Sequence, residues 1–145
     1  MKTYEWMLDV LSELETQLTN LTDDQNNKVF QDVLVGWRKP RQKSPCVYIL
    51  PDRNLLEVPS VAADYHRLRY IILVQAELVT KKGSLQSAIR LAGRVHDMLV
   101  SDRTLNGKVD NLEIVSWDYD YPPARGYGRH AIALVVEFRK YLIPT

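Results

Sequence analysis

Tyr65-His66-Arg67-Leu68-Arg69-Tyr70-Ile71-Ile72-Leu73-Val74-Gln75-Ala76-Glu77-Leu78-Val79-Thr80 places Leu68, Tyr70, Ile72, Val74, Ala76 and Leu78 on one face of an extended chain. The other face carries Ile71, Leu73 and Val79 with Gln75 and Glu77, and is apolar only in its middle. A period of two held over this length predicts one long strand. A strand of about 14 residues spans roughly 46 Å at 3.3 Å per residue. A compact chain of this size is only about 40 Å across. The strand is therefore expected either to be broken by a bulge or to project from its own core. A projecting end, at Tyr65–Arg69 or at Leu78–Lys82, would need a second subunit to cover it; Leu78 and Val79 are candidate contacts.

Downstream, Lys82-Gly83-Ser84 breaks the pattern, and Ser84 reads as the N-cap of a helix. Leu85, Ala88, Ile89, Ala92, Val95 and Leu99 recur at three- and four-residue spacing, which predicts an amphipathic helix ending near Ser101. Asn106-Gly107 signals a turn. Leu112–Tyr121 reads as a strand, 122–128 as a loop, and His130–Leu142 as a closing strand with Ile132, Leu134, Val136 and Phe138 on one face.

Upstream, Pro45 opens a strand at Cys46–Leu50, and Pro51-Asp52-Arg53-Asn54 has the composition of a turn. Val29, Val33, Val35 and Trp37 favour a strand, while Thr22-x-x-Gln25 allows a short capped helix over the same stretch. Met7, Val10, Leu11, Leu14, Leu18 and Leu21 predict a helix from Thr3 to Asn20. No repeat, linker or composition shift divides the chain, so residues 1–145 are expected to form a single domain. Two helices on a mainly antiparallel or mixed sheet of about five strands make an α+β two-layer sandwich.

A formal net charge of +1 gives no whole-molecule field toward nucleic acid or an anionic membrane. The single cysteine, Cys46, excludes an intramolecular disulfide or a cysteine-based zinc cluster, and its apolar surroundings predict a buried small side chain. Met1-Lys2-Thr3-Tyr4-Glu5 lacks the charged-then-apolar design of a signal, and no apolar run approaches a membrane span. A reducing cytosol is the expected place of synthesis.

Catalysis needs convergent acids, bases or nucleophiles. His66, His96 and His130 lie on separate elements without metal-ligand spacing. Asp118 and Asp120 share one strand face and Trp117, Tyr119 and Tyr121 the other; a solvated acidic face backed by an aromatic core stripe explains this more simply than a cation site. Gly126-Tyr127-Gly128 lacks the third glycine and the setting of a dinucleotide loop. No enzymatic activity and no cofactor are expected. The strongest local feature is the basic loop Arg38, Lys39, Arg41 and Lys43, with prolines at 40 and 45. It suits docking on an acidic partner surface or on phosphates, though it lacks the interleaved aromatics of a single-strand platform.

Three stretches carry a resemblance: the helix at 7–21 leading through Val33-Leu34-Val35-Gly36-Trp37 to Ser44-Pro45-Cys46; the long strand running into Gly83-Ser84-Leu85; and the helix end and turn from Asp97 to Gly107. In this order of elements the chain resembles the tail terminator (tail completion) proteins of long-tailed bacteriophages. The resemblance implies a non-enzymatic ring, typically hexameric, assembled in the host cytoplasm into the virion, where it caps the tail tube and joins it to the head connector. Ring formation needs a heterologous interface whose rotation closes. The basic loop and an acidic row at Glu113, Asp118 and Asp120 offer plausible halves. Another neck component, a head-closure or connector protein, is the neighbouring reading; a small nucleic-acid-binding module using the basic loop is the alternative of a different class.

Overall fold

The computed structural model describes residues 2–36, 45–60, 62–77, 81–120 and 130–143, with the backbone alone at 60, 81 and 120. The elements run α1 (Thr3–Asn20), β1 (Asp32–Val35), β2 (Cys46–Ser60), β3 (Ala63–Gln75), α2 (Lys81–Ser101), β4 (Asn111–Asp120) and β5 (Ala131–Leu142). The strands form one sheet in the order β1-β2-β3-β5-β4. β1 pairs parallel to β2, and the other three pairings are antiparallel. The fold is thus the expected α+β arrangement, a mixed five-stranded sheet with two helices on one face.

The core follows from the two periodicities. Trp6, Val10, Leu14 and Leu18 recur every four residues along α1 and are buried. They meet Val47, Ile49, Leu68, Ile72 and Val74 from alternate positions of β2 and β3. Ile132, Leu134, Val136 and Phe138 of β5 continue the same layer. Each fully buried side chain of this kind contributes about 1.5–3 kcal/mol of transfer free energy. Trp6 also donates its indole N–H to the Lys108 carbonyl at 2.8 Å, which ties the start of α1 to the turn before β4. The opposite, helix-free face of the sheet holds a smaller buried cluster of Cys46, Tyr48, Leu73 and Ala131. No helix among the described residues is long and apolar enough to cross a membrane.

Several expectations are corrected. The stretch at 51–54 is no turn: β2 continues to Ser60, and the register shift between Pro51 and Arg53 is a bulge that absorbs one extra residue. Leu55 and Leu56 prolong the pairing with β3, and this outweighs the local turn composition. At 22–36 the loop and strand readings hold over the capped helix, but the strand is shorter than expected: Asp23 organises the loop by accepting the backbone N–H groups of Gln25 and Asn27, and β1 is confined to Asp32–Val35.

α2 begins at Lys81, before Ser84. Ser84 is buried inside the first turn, where its Oγ accepts the His130 N–H at 2.9 Å. The buried face of α2 is Ala88, Leu91, Ala92, Val95 and Leu99, and Ile89 is 40% exposed. Ile89 and Leu91 stand on either side of the 88/92/95/99 stripe; Leu91 lies beside Val29 and Pro45, and Arg94 pairs with Asp24, so the 23–31 segment flanks the Leu91 side.

The projecting-strand expectation also changes. β3 is central, paired with β2 along its length and with β5 from Asp64 to Gln75. Tyr65–Arg69 therefore needs no neighbouring subunit, because three long strands share the span. Leu78 and Val79 lie outside the described residues.

Candidate assembly surface

The three histidines are not brought together. His66 is buried on β3 beneath Trp6, with ring centroids 5.6 Å apart, and its Nδ1 lies 2.9 Å from the Asn54 side-chain nitrogen. Burial pushes its pKa down, against an opposing pull from Asp64. His96 on α2 accepts the Trp117 indole N–H at Nδ1, 3.1 Å away. The backbone of His130 is bound to Ser84. Each histidine thus joins secondary elements.

Asp118 is exposed on β4 and accepts the Ser116 hydroxyl at 3.2 Å. The side chain of Asp120, the basic residues Arg38, Lys39, Arg41 and Lys43, and Gly126–Gly128 lie outside the described residues. The expected aromatic stripe on β4 divides: Trp117 packs on the core, while Tyr119 is 54% exposed. Among the described residues no three His, Cys, Asp or Glu side chains cluster as metal ligands.

One sequence likeness is undone by geometry. Asp102, Thr104, Asn106, Gly107 and Glu113 stand at the spacing of a calcium-binding loop. Asp102 instead accepts the Thr104 N–H and hydroxyl and the Asn106 N–H, and these bonds, the Thr104 hydroxyl foremost, hold its pKa down. Glu113 is turned to Arg139 on β5, and Asp110 accepts the Tyr141 N–H. The stretch is a helix-ending turn that inserts Leu105 into the core; Leu105, Asn106 and Gly107 all have positive φ.

The helix-free face of the sheet carries a charged network that reading the sequence did not single out. Glu137 of β5 is fully buried and held by three arginines: Arg69 Nε at 2.9 Å, Arg67 at 3.2 Å and Arg139 at 2.6 Å. Burial alone would push the Glu137 carboxyl up, but hydrogen bonds from Arg69, Arg139 and Arg67 outweigh it and hold the pKa below the usual carboxylate value. Glu57 and Glu113 flank the group, on Arg67 and Arg139 respectively. The available signal was a charge at every second position: Arg67 and Arg69 on β3, and Glu137 and Arg139 on β5.

The sheet has two edges without a strand partner among the described residues. β4 closes one side. On the other, β1 covers β2 only over Cys46–Ile49, so β2 is itself the edge from Arg53 to Ser60. Exposed large apolar side chains sit on these edge strands: Val35 on β1, Leu56 and Val58 on β2, Val115 and Tyr119 on β4. Such a combination invites pairing with another chain. Comparison with known protein families and with curated proteins finds no match for this chain.

Proposed function

We propose that the protein is a self-assembling structural component of a bacteriophage tail, a ring that terminates the tail tube and joins it to the head connector. The observation that carries this reading is the pair of sheet edges without a strand partner among the described residues, each with exposed apolar side chains, at opposite ends of one strand order. Opposite edges favour head-to-tail association, which yields a ring when the rotation closes. The order of elements shared with tail terminators supplies the particular role. A different neck component would use the same ring logic with other partners.

The nucleic-acid reading is less favoured. Arg67, Arg69 and Arg139 of the helix-free face are matched by Glu137, Glu113 and Glu57, so this cluster does not offer phosphates unpaired positive charge; the basic loop at 38–43 lies outside the described residues. The test is electron microscopy of the purified protein without nucleic acid, followed by its addition to elongating tail-tube subunits. Uniform rings that bind tube ends and halt elongation support the role. Rings that ignore tubes but bind head connectors point to another neck component, and steeply salt-dependent binding of DNA or RNA without rings would replace the proposal.

A further inference from the structure

Register fixes one row of side chains across the helix-free face. Arg53 pairs with Arg69, Arg69 with Glu137, and Glu137 with Glu113. Partners directly opposite in a ladder project to the same face, so the row reads two positive charges and then two negative ones, from the β2 edge to the β4 edge. The inner members neutralise each other through the 2.9 Å contact of Arg69 Nε with Glu137. The outer members remain at the edges with half or more of their side chains exposed, Arg53 at 62% and Glu113 at 54%. They cannot meet within one chain, because β3 and β5 stand between them. Among the described residues Arg53 finds only its neighbour Asp52, at 3.8 Å, as an acidic partner.

Strand direction adds a second constraint. β3 and β4 run one way, and β1, β2 and β5 the other. A second copy that continues the sheet in the same orientation therefore offers its β1–β2 edge antiparallel to β4, the more stable pairing. We infer, resting on the self-assembly proposed above, that protomers join head to tail along this line, with Glu113 of one copy facing Arg53 of the next. At the level of Arg53 the β2 edge is set back behind β1 by about one strand spacing, roughly 4.8 Å. The long arginine and glutamate side chains span that recess. A two-fold pairing of like edges centred on the row would set Glu113 against Glu113 or Arg53 against Arg53, so the row opposes an isologous dimer in that register.

Charge reversal at each edge tests the seam. Arg53→Glu and Glu113→Arg are prepared singly, checked for folding by circular dichroism, and measured for assembly by light scattering over a concentration series. Each variant alone should need at least about tenfold more protein than wild type to assemble, because like charges then meet at every seam. An equimolar mixture should recover most of the loss. In alternating order, every second seam sets the two reversed side chains against each other as an opposite-charge pair, and the seams between are native.

Arg53→Glu changes an exposed side chain, so it stands as a test even if Glu113→Arg, which also removes the Arg139 partner, fails to fold. Wild-type rings with Arg53→Glu assembling normally would overturn the seam and leave self-assembly intact. Failure of two folded variants to rescue each other would show that Glu113 is not the partner. A two-fold wild-type dimer would overturn the head-to-tail order. A wild-type monomer at every concentration would remove both the seam and the self-assembly it rests on.

Discussion

Glu137→Gln is the substitution in which the helix-free face should reveal its energetics. The wild-type carboxylate has no exposed surface and accepts from three guanidinium groups. Glutamine keeps the shape, removes the charge and turns an amide N–H₂ toward N–H donors. Breaking a buried ion pair by removing one partner costs about 3–5 kcal/mol when the remaining charge stays buried. Here the arginines retain between 23% and 29% of their side-chain exposure and can recover some hydration. The expected loss is therefore smaller, about 2–3 kcal/mol, a fall in thermal midpoint of roughly 5–10 °C for a domain of this size.

The pH dependence has a definite sign. The folded carboxyl has a pKa below its unfolded value of 4.5, so its contribution is fully present above that value and is lost as pH falls through the folded pKa. Thermal melts of both proteins at neutral pH and at several acidic pH values check this. The gap between them should be widest at neutral pH and narrow with acid. A variant melting within about 1 °C of wild type at neutral pH, or a gap that persists unchanged in acid, would refute the reasoning.

Ile89→Asp should cost less than about 1 kcal/mol, whereas Val95→Asp, which places an unpaired charge in the core, should abolish folding; thermal melts distinguish the two. Gly107→Ala should lose about 1 kcal/mol, because φ there is +78° and a new methyl would meet no atom within 4 Å, which leaves backbone strain as the whole effect. Replacing Arg38, Lys39, Arg41 and Lys43 together with serine should leave the thermal midpoint near wild type yet impair assembly and complementation of a tail-defective phage. Normal assembly by that variant would make the loop a solvated connection only.

The fold was legible wherever one period ran unopposed. Val10, Leu14 and Leu18 of α1 and the alternating apolar faces of β3 and β5 could be read from spacing, whereas Trp6 and His66, buried against each other, could not. The misreadings fall where local composition and tertiary pairing disagree. Pro51 to Asn54 has the residues of a turn, yet Leu55 and Leu56 have partners on β3, and a bulge costs less than leaving that ladder unmade. On α2, Ile89 and Leu91 suit the stripe equally well by periodicity; the choice between them is made by the 23–31 segment, which flanks the Leu91 side.

The charged row was legible as alternation but not as a network. That Arg53, Arg69, Glu137 and Glu113 align depends on the register of three separate ladders and on the order β2-β3-β5-β4. The calcium-loop spacing at 102–113 shows the converse: a near match in sequence, dispersed once residues 111–113 extend into β4.

Self-assembly is tested most directly by the mass of the purified protein in solution, measured without nucleic acid over a wide range of concentration. Two edges on opposite sides of one sheet, unpaired among the described residues, predict a single closed species, an integral multiple of the chain mass above the dimer, that resists dilution and gives way to monomer without a ladder of longer filaments. A monomer that persists at every concentration, or a dimer that never grows, would contradict the account.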